Sequence, residues 1–194
     1  MKIVFATNNL NKLSEIRDLL SNSIEILSLS DINCYAELPE THHTLHANAM
    51  QKAQYVATNY NINCFADDTG LEIDALGGNP GVYSARYAGE DCIAKNNISR
   101  VLSELEMQEN RSANFRTVIA LILNGKEHFF EGQCSGLITN SELGDKGFGY
   151  DPIFMPNGYN KTFAQMSKAE KGFISHRGKA VAKLARFLSL IAIS

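Results

Sequence analysis

The chain has 194 residues, 44% hydrophobic and 20% charged, with a formal net charge of −3. That length fits one domain over 1–194 with a sizeable apolar core. The negative balance argues against a protein whose main task is gripping a nucleic-acid backbone. Its four cysteines, Cys34, Cys64, Cys92 and Cys134, form no CxxC pair, which fits reduced thiols better than a disulfide framework or a zinc site. The opening MKIVFATNNLNK carries no long apolar leader segment, and no window approaches the roughly 18 apolar residues of a membrane span. The expectation is a cytoplasmic chain with no membrane partner.

Ile3 to Ala6 is a short apolar run that reads as a buried strand. It stops at Thr7-Asn8-Asn9-Leu10-Asn11, after which Leu13, Ile16, Leu19 and Leu20 make the stripe of a first helix. Strand, polar loop and helix open an α/β unit, which binds ligands at the carboxyl ends of its strands. A second helix is predicted from an N-cap at Thr44 to about Tyr60, with Leu45, Ala49, Ala53 and Val56 inward. At about 100° per residue Lys52 falls inside that stripe. Such a lysine either snorkels to the rim or points into a cleft.

Ile62 to Ala66 is the next predicted strand, ending at Asp67-Asp68-Thr69-Gly70. Gly77 to Gly81 reads as a loop, and Ile98, Val101, Leu102 and Leu105 mark a third helix. Phe115 to Leu123 and Glu127 to Ile138 read as strands joined in a hairpin at Asn124-Gly125, so the sheet should be mixed. A glycine-rich stretch, Gly144 to Asp151, precedes the short run Ile153 to Met155. A last helix starts near Ser175 with Val181, Leu184, Phe187, Leu188 and Ile191 inward.

Four groups of residues carry chemistry. Asp67-Asp68 at a strand end, followed by a hydroxyl and a glycine, suits magnesium, which takes one or two protein carboxylates and fills its other positions with water and phosphate oxygens. A carboxylate beside that metal can accept a proton from attacking water. A solvated turn is the competing reading. Thr7 to Lys12 places backbone N–H groups, Asn amides and a lysine at a helix start, an anion cradle; an Asn-rich capping turn is its alternative. His176-Arg177, with Lys168 and Lys171 upstream, suits planar recognition of a phosphate or base edge, or else forms a surface basic patch. Phe148 between glycines, next to Tyr150 and Asp151, offers a ring for stacking on a base; the alternative is a core aromatic at a tight turn. His42, His43 and His46 lack both the HExxH glutamate and a third ligand, so no zinc is expected.

Ala6-Thr7-Asn8-Asn9-Leu10-Asn11-Lys12, Phe65-Ala66-Asp67-Asp68-Thr69-Gly70-Leu71, Gly81-Val82-Tyr83-Ser84-Ala85-Arg86-Tyr87, Gly147-Phe148-Gly149-Tyr150-Asp151-Pro152 and Ser175-His176-Arg177-Gly178 resemble, nearly end to end, the blocks of the inosine triphosphate pyrophosphatase family. The resemblance implies an elongated mixed α/β fold, with flanking helices and two lobes around a cleft, and a homodimer. It implies magnesium-dependent hydrolysis of ITP, dITP or XTP to the monophosphate and pyrophosphate. By the same resemblance Thr7, Asn8, Asn9, Leu10, Asn11 and Lys12 would hold the triphosphate, and Lys52 would reach phosphate. Asp68 would be metal ligand and proton acceptor, with Asp67 its helper, and Thr69 would touch substrate. Phe148, Gly149, Tyr150, Asp151, Lys171, His176 and Arg177 would surround base and sugar, with Arg177 the candidate donor to the 6-oxo group.

One stretch departs from the family. An acidic pair followed by Thr-Gly is common there, whereas this chain has Leu38-Pro39-Glu40-Thr41-His42. Glu40 is the candidate second metal ligand and Glu37 the alternative. The competing functional readings are a pyrophosphatase of modified pyrimidine nucleotides, Maf-like, and a non-catalytic nucleotide-binding module.

Overall fold

The structure is a computed structural model and describes residues 2–20 and 24–191. Ile3, Val4 and Phe5 are fully buried on β1 (Lys2–Phe5), which has a neighbour along each edge: β2 (Glu25–Leu27) and β3 (Cys64–Ile73), both parallel to it. The remaining strands are β4 (Pro80–Gly81), β5 (Ser112–Leu123), β6 (Lys126–Ile138) and β7 (Phe154–Pro156). The order is β2-β1-β3-β5-β6-β7, with β4 paired to β3. β4 and β7 run antiparallel to their partners, so the sheet is mixed, as the hairpin signal predicts. Five helices accompany it: α1 (Leu10–Leu19), α2 (Leu45–Tyr60), α3 (Ala94–Glu104), α4 (Lys168–Ile174) and α5 (His176–Ile191).

The chain, expected as one domain, forms two compact units. One comprises Met1–Asp68, Thr117–Gly132 and Arg177–Ser194; the other comprises Thr69–Arg116 and Gln133–His176. Two of the four crossings, Asp68-Thr69 and His176-Arg177, fall inside predicted functional motifs.

In the first unit Ile3, Phe5, Leu13, Ile16, Phe65, Ile119, Leu121, Val181, Leu184 and Leu188 form one core. Phe5 and Phe65 stack at its centre, with ring centroids 4.7 Å apart. Helix starts are set by local chemistry. Asn9 accepts from the Asn11 and Lys12 N–H groups at the head of α1, and Thr44 accepts from Ala47 N–H at the head of α2. In the second unit Leu71, Ile73, Ile98, Val101, Leu105, Phe115, Tyr150, Phe154 and Phe163 form another core. Asn124 (φ 51°) and Gly125 (φ 75°) supply the two positive φ angles of the tight β5–β6 turn.

Three expectations need correction. The strand predicted to stop at Ala66 continues to Ile73, so the acid pair lies inside β3 rather than at its end. Asp and Gly are poor strand formers and read as turn residues; pairing to β1 at Cys64 and Phe65 and to β4 at Leu71 and Glu72 overrides that preference. Asp67 to Gly70 lie between those two pairings along the strand. Leu19 is 36% exposed and Ile191 40% exposed. Leu13, Ile16 and Leu20 already fill the α1 stripe, and Ile191 ends its helix beyond the last core contact at Leu188. The short helix α4 was not anticipated, although Ser167 and Glu170 form a capping box legible as S-x-x-E.

Phe65→Ala should cost about 3–5 kcal/mol, the transfer term plus the cavity left beside Phe5. Urea unfolding should show it as a lower midpoint with an unchanged slope.

Candidate active site

Asp67 and Asp68 are successive residues of β3, so their side chains leave opposite faces of the strand. Asp67 shares a face with Phe65, which packs in the core with α1 and α5 residues. Asp68 shares the other with Cys64, whose thiol donates to the Ala53 carbonyl of α2. The alternation therefore gives each carboxylate its own nearest partners.

On the first face Lys12 Nζ lies 3.0 Å from Asp67 Oδ1, and Arg177 Nε lies 3.4 Å from Oδ2. Arg177 also donates from an NH group to Glu15 Oε2 at 2.6 Å. On the second face Asn48 Nδ2 donates to Asp68 Oδ2 at 3.2 Å, while Asp68 Oδ1 lies 3.9 Å from Lys52 Nζ. The Lys52 ammonium also donates to Glu40 Oε1. Asp67, Asp68, Lys52 and Arg177 are all buried, so Lys52 points inward and Arg177 belongs to no surface patch.

Burial alone would raise the Asp67 carboxyl, but Lys12, Arg177 and Lys52 outweigh it and hold it far below the usual carboxylate range. For Asp68 burial prevails, helped by Glu40 and Asp67 and opposed by Lys52 and Lys12, and its pKa is raised. Burial also opposes the charge on Lys52, yet Asp68 and Glu40 outweigh it and push the ammonium up. Burial lowers Lys12. Burial works against ionised Glu40 as well, and Lys52 overcomes it, so the carboxyl lies below its ordinary value. Burial and neighbouring charges thus push the two adjacent carboxyls in opposite directions.

Among the described residues no three His, Cys, Asp or Glu side chains converge as a metal cage. Asp68 and Glu40 nevertheless face one cation already, the Lys52 ammonium. Two carboxylates suffice for magnesium when phosphate and water supply the rest. Asp67, Asp68, Glu40 and Glu15 also outnumber Lys12, Lys52 and Arg177, so the donor set fits a hard divalent ion.

The Thr7–Lys12 segment divides. Lys12 reaches the acids, Asn9 caps α1, and Thr7 Oγ1 accepts from Asn9 N–H. Asn8 brackets another loop, donating to the Ala36 carbonyl and accepting from Leu38 N–H. Leu10 is exposed. His46 lies 2.9 Å from Glu131, away from these acids.

The second unit holds the other predicted residues. Asp151 Oδ2 accepts from Phe148 N–H at 2.8 Å and from Lys171 Nζ at 2.6 Å, and that ammonium lies 4.8 Å from the Phe148 ring centroid. Phe148 is half-buried. Tyr150 is buried, its hydroxyl donating to the Ser84 carbonyl, so it is a core anchor rather than an exposed platform. Gly147 has φ 74°, and a Cβ there would come within 2.0 Å of Asp151 Oδ2, so the turn admits only glycine. His176 stacks on Phe115 at 4.4 Å. Thr69 is half-buried on β3.

Sequence reasoning missed Glu15, Asn48 and Ser84. Asn48 was detectable, since it precedes Lys52 by one helical turn on the same apolar stripe. Glu15 lies 162 positions from Arg177, and Ser84 bonds locally to the Gly81 carbonyl while meeting Tyr150 far along the chain; neither carried such a signal.

The Ham1 family profile matches residues 3–187. The chain belongs to the Ham1 family. It is 54% identical over 189 residues to the dITP/XTP pyrophosphatase of Flavobacterium johnsoniae, covering 97% of this chain and 98% of the relative. It is also 54% identical over 187 residues to the dITP/XTP pyrophosphatase of Flavobacterium psychrophilum, covering 96% and 98%. The Staphylococcus aureus Ham1 protein superposes with a TM-score of 0.88 at 38% identity, covering 97% of this chain and 98% of that one. The Ham1 chain thus has the mixed α/β fold expected from its sequence.

The two acids should separate in stability. Asp67→Asn leaves Lys12 and Arg177 short of a buried countercharge and should cost about 3–5 kcal/mol at pH 7. Because the folded-state pKa of Asp67 is depressed, its contribution is full above the unfolded value near 4 and fades as pH falls toward the folded one. The gap between wild type and Asp67→Asn should therefore shrink in urea titrations run from pH 5 down to pH 2. Asp68→Asn, which replaces a carboxyl disfavoured by burial, should cost less than about 1 kcal/mol.

Proposed function

We propose that the acid–lysine cluster around Asp68 hydrolyses the α–β phosphoanhydride of non-canonical purine nucleoside triphosphates. The chain is a nucleoside triphosphate pyrophosphatase that converts dITP, XTP and ITP to the monophosphate and pyrophosphate, clearing them from the nucleotide pool. What supports the site assignment is the buried pair Asp67-Asp68, with Lys12 and Arg177 at the first acid, Asn48 and Lys52 at the second, and Glu40 on the same Lys52 ammonium.

In this reading Thr7, Asn8, Asn9, Leu10, Asn11 and Lys12 at the head of α1, together with Lys52, take the phosphates, and Asn8 also holds the neighbouring loop at Ala36 and Leu38. Asp68 accepts the proton of a water that attacks the α-phosphorus in line. The α–β P–O bond breaks and pyrophosphate leaves. Asp67 keeps Lys12 and Arg177 in place. A magnesium ion held by Asp68 and Glu40 would neutralise phosphate charge and polarise the phosphoryl group. Phe148 stacks on the base, on a loop held by Gly149, Tyr150 and Asp151, while Thr69 and His176 contribute polar contacts. Arg177, whose guanidinium also meets Glu15 and Asp67, is the donor to the 6-oxo group, and Lys171 lies beside the Phe148 ring. A cationic donor favours an oxo group over the amino group of adenine.

Purified protein given XTP or dITP with magnesium should release pyrophosphate and not orthophosphate, and chelation by EDTA should abolish the release. Asp68→Asn should lower kcat by about 10²–10⁴-fold. Turnover of modified UTP or TTP in preference to purines would favour the pyrimidine reading. Tight ITP binding without turnover would favour a non-catalytic module.

The homodimer and the cytoplasmic location belong to the same proposal. No described helix is long and apolar enough to cross a membrane, and the buried Cys34, Cys64 and Cys134 form no disulfide, which supports a reducing compartment. Sedimentation should return twice the chain mass of 21.4 kDa; a monomer at micromolar concentration would remove the dimer.

A further inference from the structure

Residues 36–42 form a strap ahead of α2 that carries Glu40, and three amide side chains hold it. Asn8 brackets its start at Ala36 and Leu38. Gln51 Oε1 accepts from Thr41 N–H at 3.0 Å while its amide donates to Thr41 Oγ1 at 2.9 Å. Asn48 Oδ1 accepts from His42 N–H at 2.8 Å while its amide donates to Asp68 Oδ2 at 3.2 Å. Of these three, Asn48 is the one with no solvent exposure, and it joins the strap to a site acid.

Leu45, Ala49, Ala53 and Val56 make the buried stripe of α2, and Asn48 and Lys52 interrupt it one helical turn apart. An unbonded amide at such a place would be costly, so both its ends must be satisfied. The two interruptions address the two oxygens of one carboxylate: Asn48 takes Oδ2, and Oδ1 faces Lys52. The carboxylate's rotation is thereby set. The same amide pins the backbone two residues after Glu40, whose own carboxylate also meets Lys52.

We propose that Asn48 is a positioning residue for hydrolysis: its amide orients the Asp68 carboxylate and registers the Glu40 strap to it. The reaction assigned here rests on the functional reading above; the clamp itself does not. Replacing a group that orients a site ligand costs about 10- to 100-fold in activity, so Asn48→Ala should lower kcat for dITP by that factor with KM changed less than about threefold. Asn48→Asp retains an oxygen for His42 N–H but presents no donor to Asp68, and it should do no better than Asn48→Ala. The contact is read without substrate in a thermal-unfolding cycle of wild type, Asn48→Ala, Asp68→Ala and the double variant, whose melting shifts should be non-additive. Additive shifts would overturn the clamp. Wild-type kcat in Asn48→Asp would also overturn the proposal, as would a loss confined to KM. An unmodified protein that releases no pyrophosphate from dITP or XTP would instead overturn the functional reading, with the unfolding cycle still deciding the contact.

Discussion

A β-strand turns successive side chains to opposite faces, and β3 applies that rule to two buried carboxylates in a row. Burying an ionised carboxylate carries an effective penalty of several kcal/mol unless cations and hydrogen bonds answer it. Asp67 is answered by Lys12 from α1 and Arg177 from α5, while Asp68 meets Asn48 and Lys52 from α2. Placement of the three helices against β3 thus converges on one requirement, that these charges be met where they are buried. The asymmetry between the two acids follows, since the better-compensated carboxyl is held down and its neighbour is pushed up.

The second unit solves a smaller version of the same problem. Asp151 is buried and receives the Lys171 ammonium together with the Phe148 backbone N–H. That single carboxylate fixes the loop that carries the Phe148 ring and fixes the lysine beside the ring. Close approach of Gly147 to Asp151 leaves no room for a side chain. Stability and function are therefore hard to separate at these residues: the contacts that satisfy buried charge also present the groups proposed to meet substrate.

Much of this was legible along the chain. The N-cap at Thr44, the Asn124-Gly125 turn and the place of Lys52 on the apolar stripe of α2 rest on periodicity and capping, which act over a few residues. The extension of β3 through Asp67-Asp68-Thr69-Gly70 was not legible, because residues that favour turns were held in a strand by partners at Phe5 and Gly81. The ion pair of Arg177 was not legible either, because Glu15, which engages its guanidinium, lies 162 positions away in sequence.

The sequence by itself determined the long helices α1, α2, α3 and α5, the β5–β6 hairpin, which residue types gather near them and which family the motifs resemble. These depend on local geometry and on residue chemistry that survives in any fold. Only the tertiary structure decided which cation serves which carboxylate, that Asn8 holds a strap, and that Asn48 reaches Asp68. Those pairings depend on distances between side chains on separate elements. The charge of an acid in water does not reveal its pKa once burial and two or three opposing neighbours act on it together.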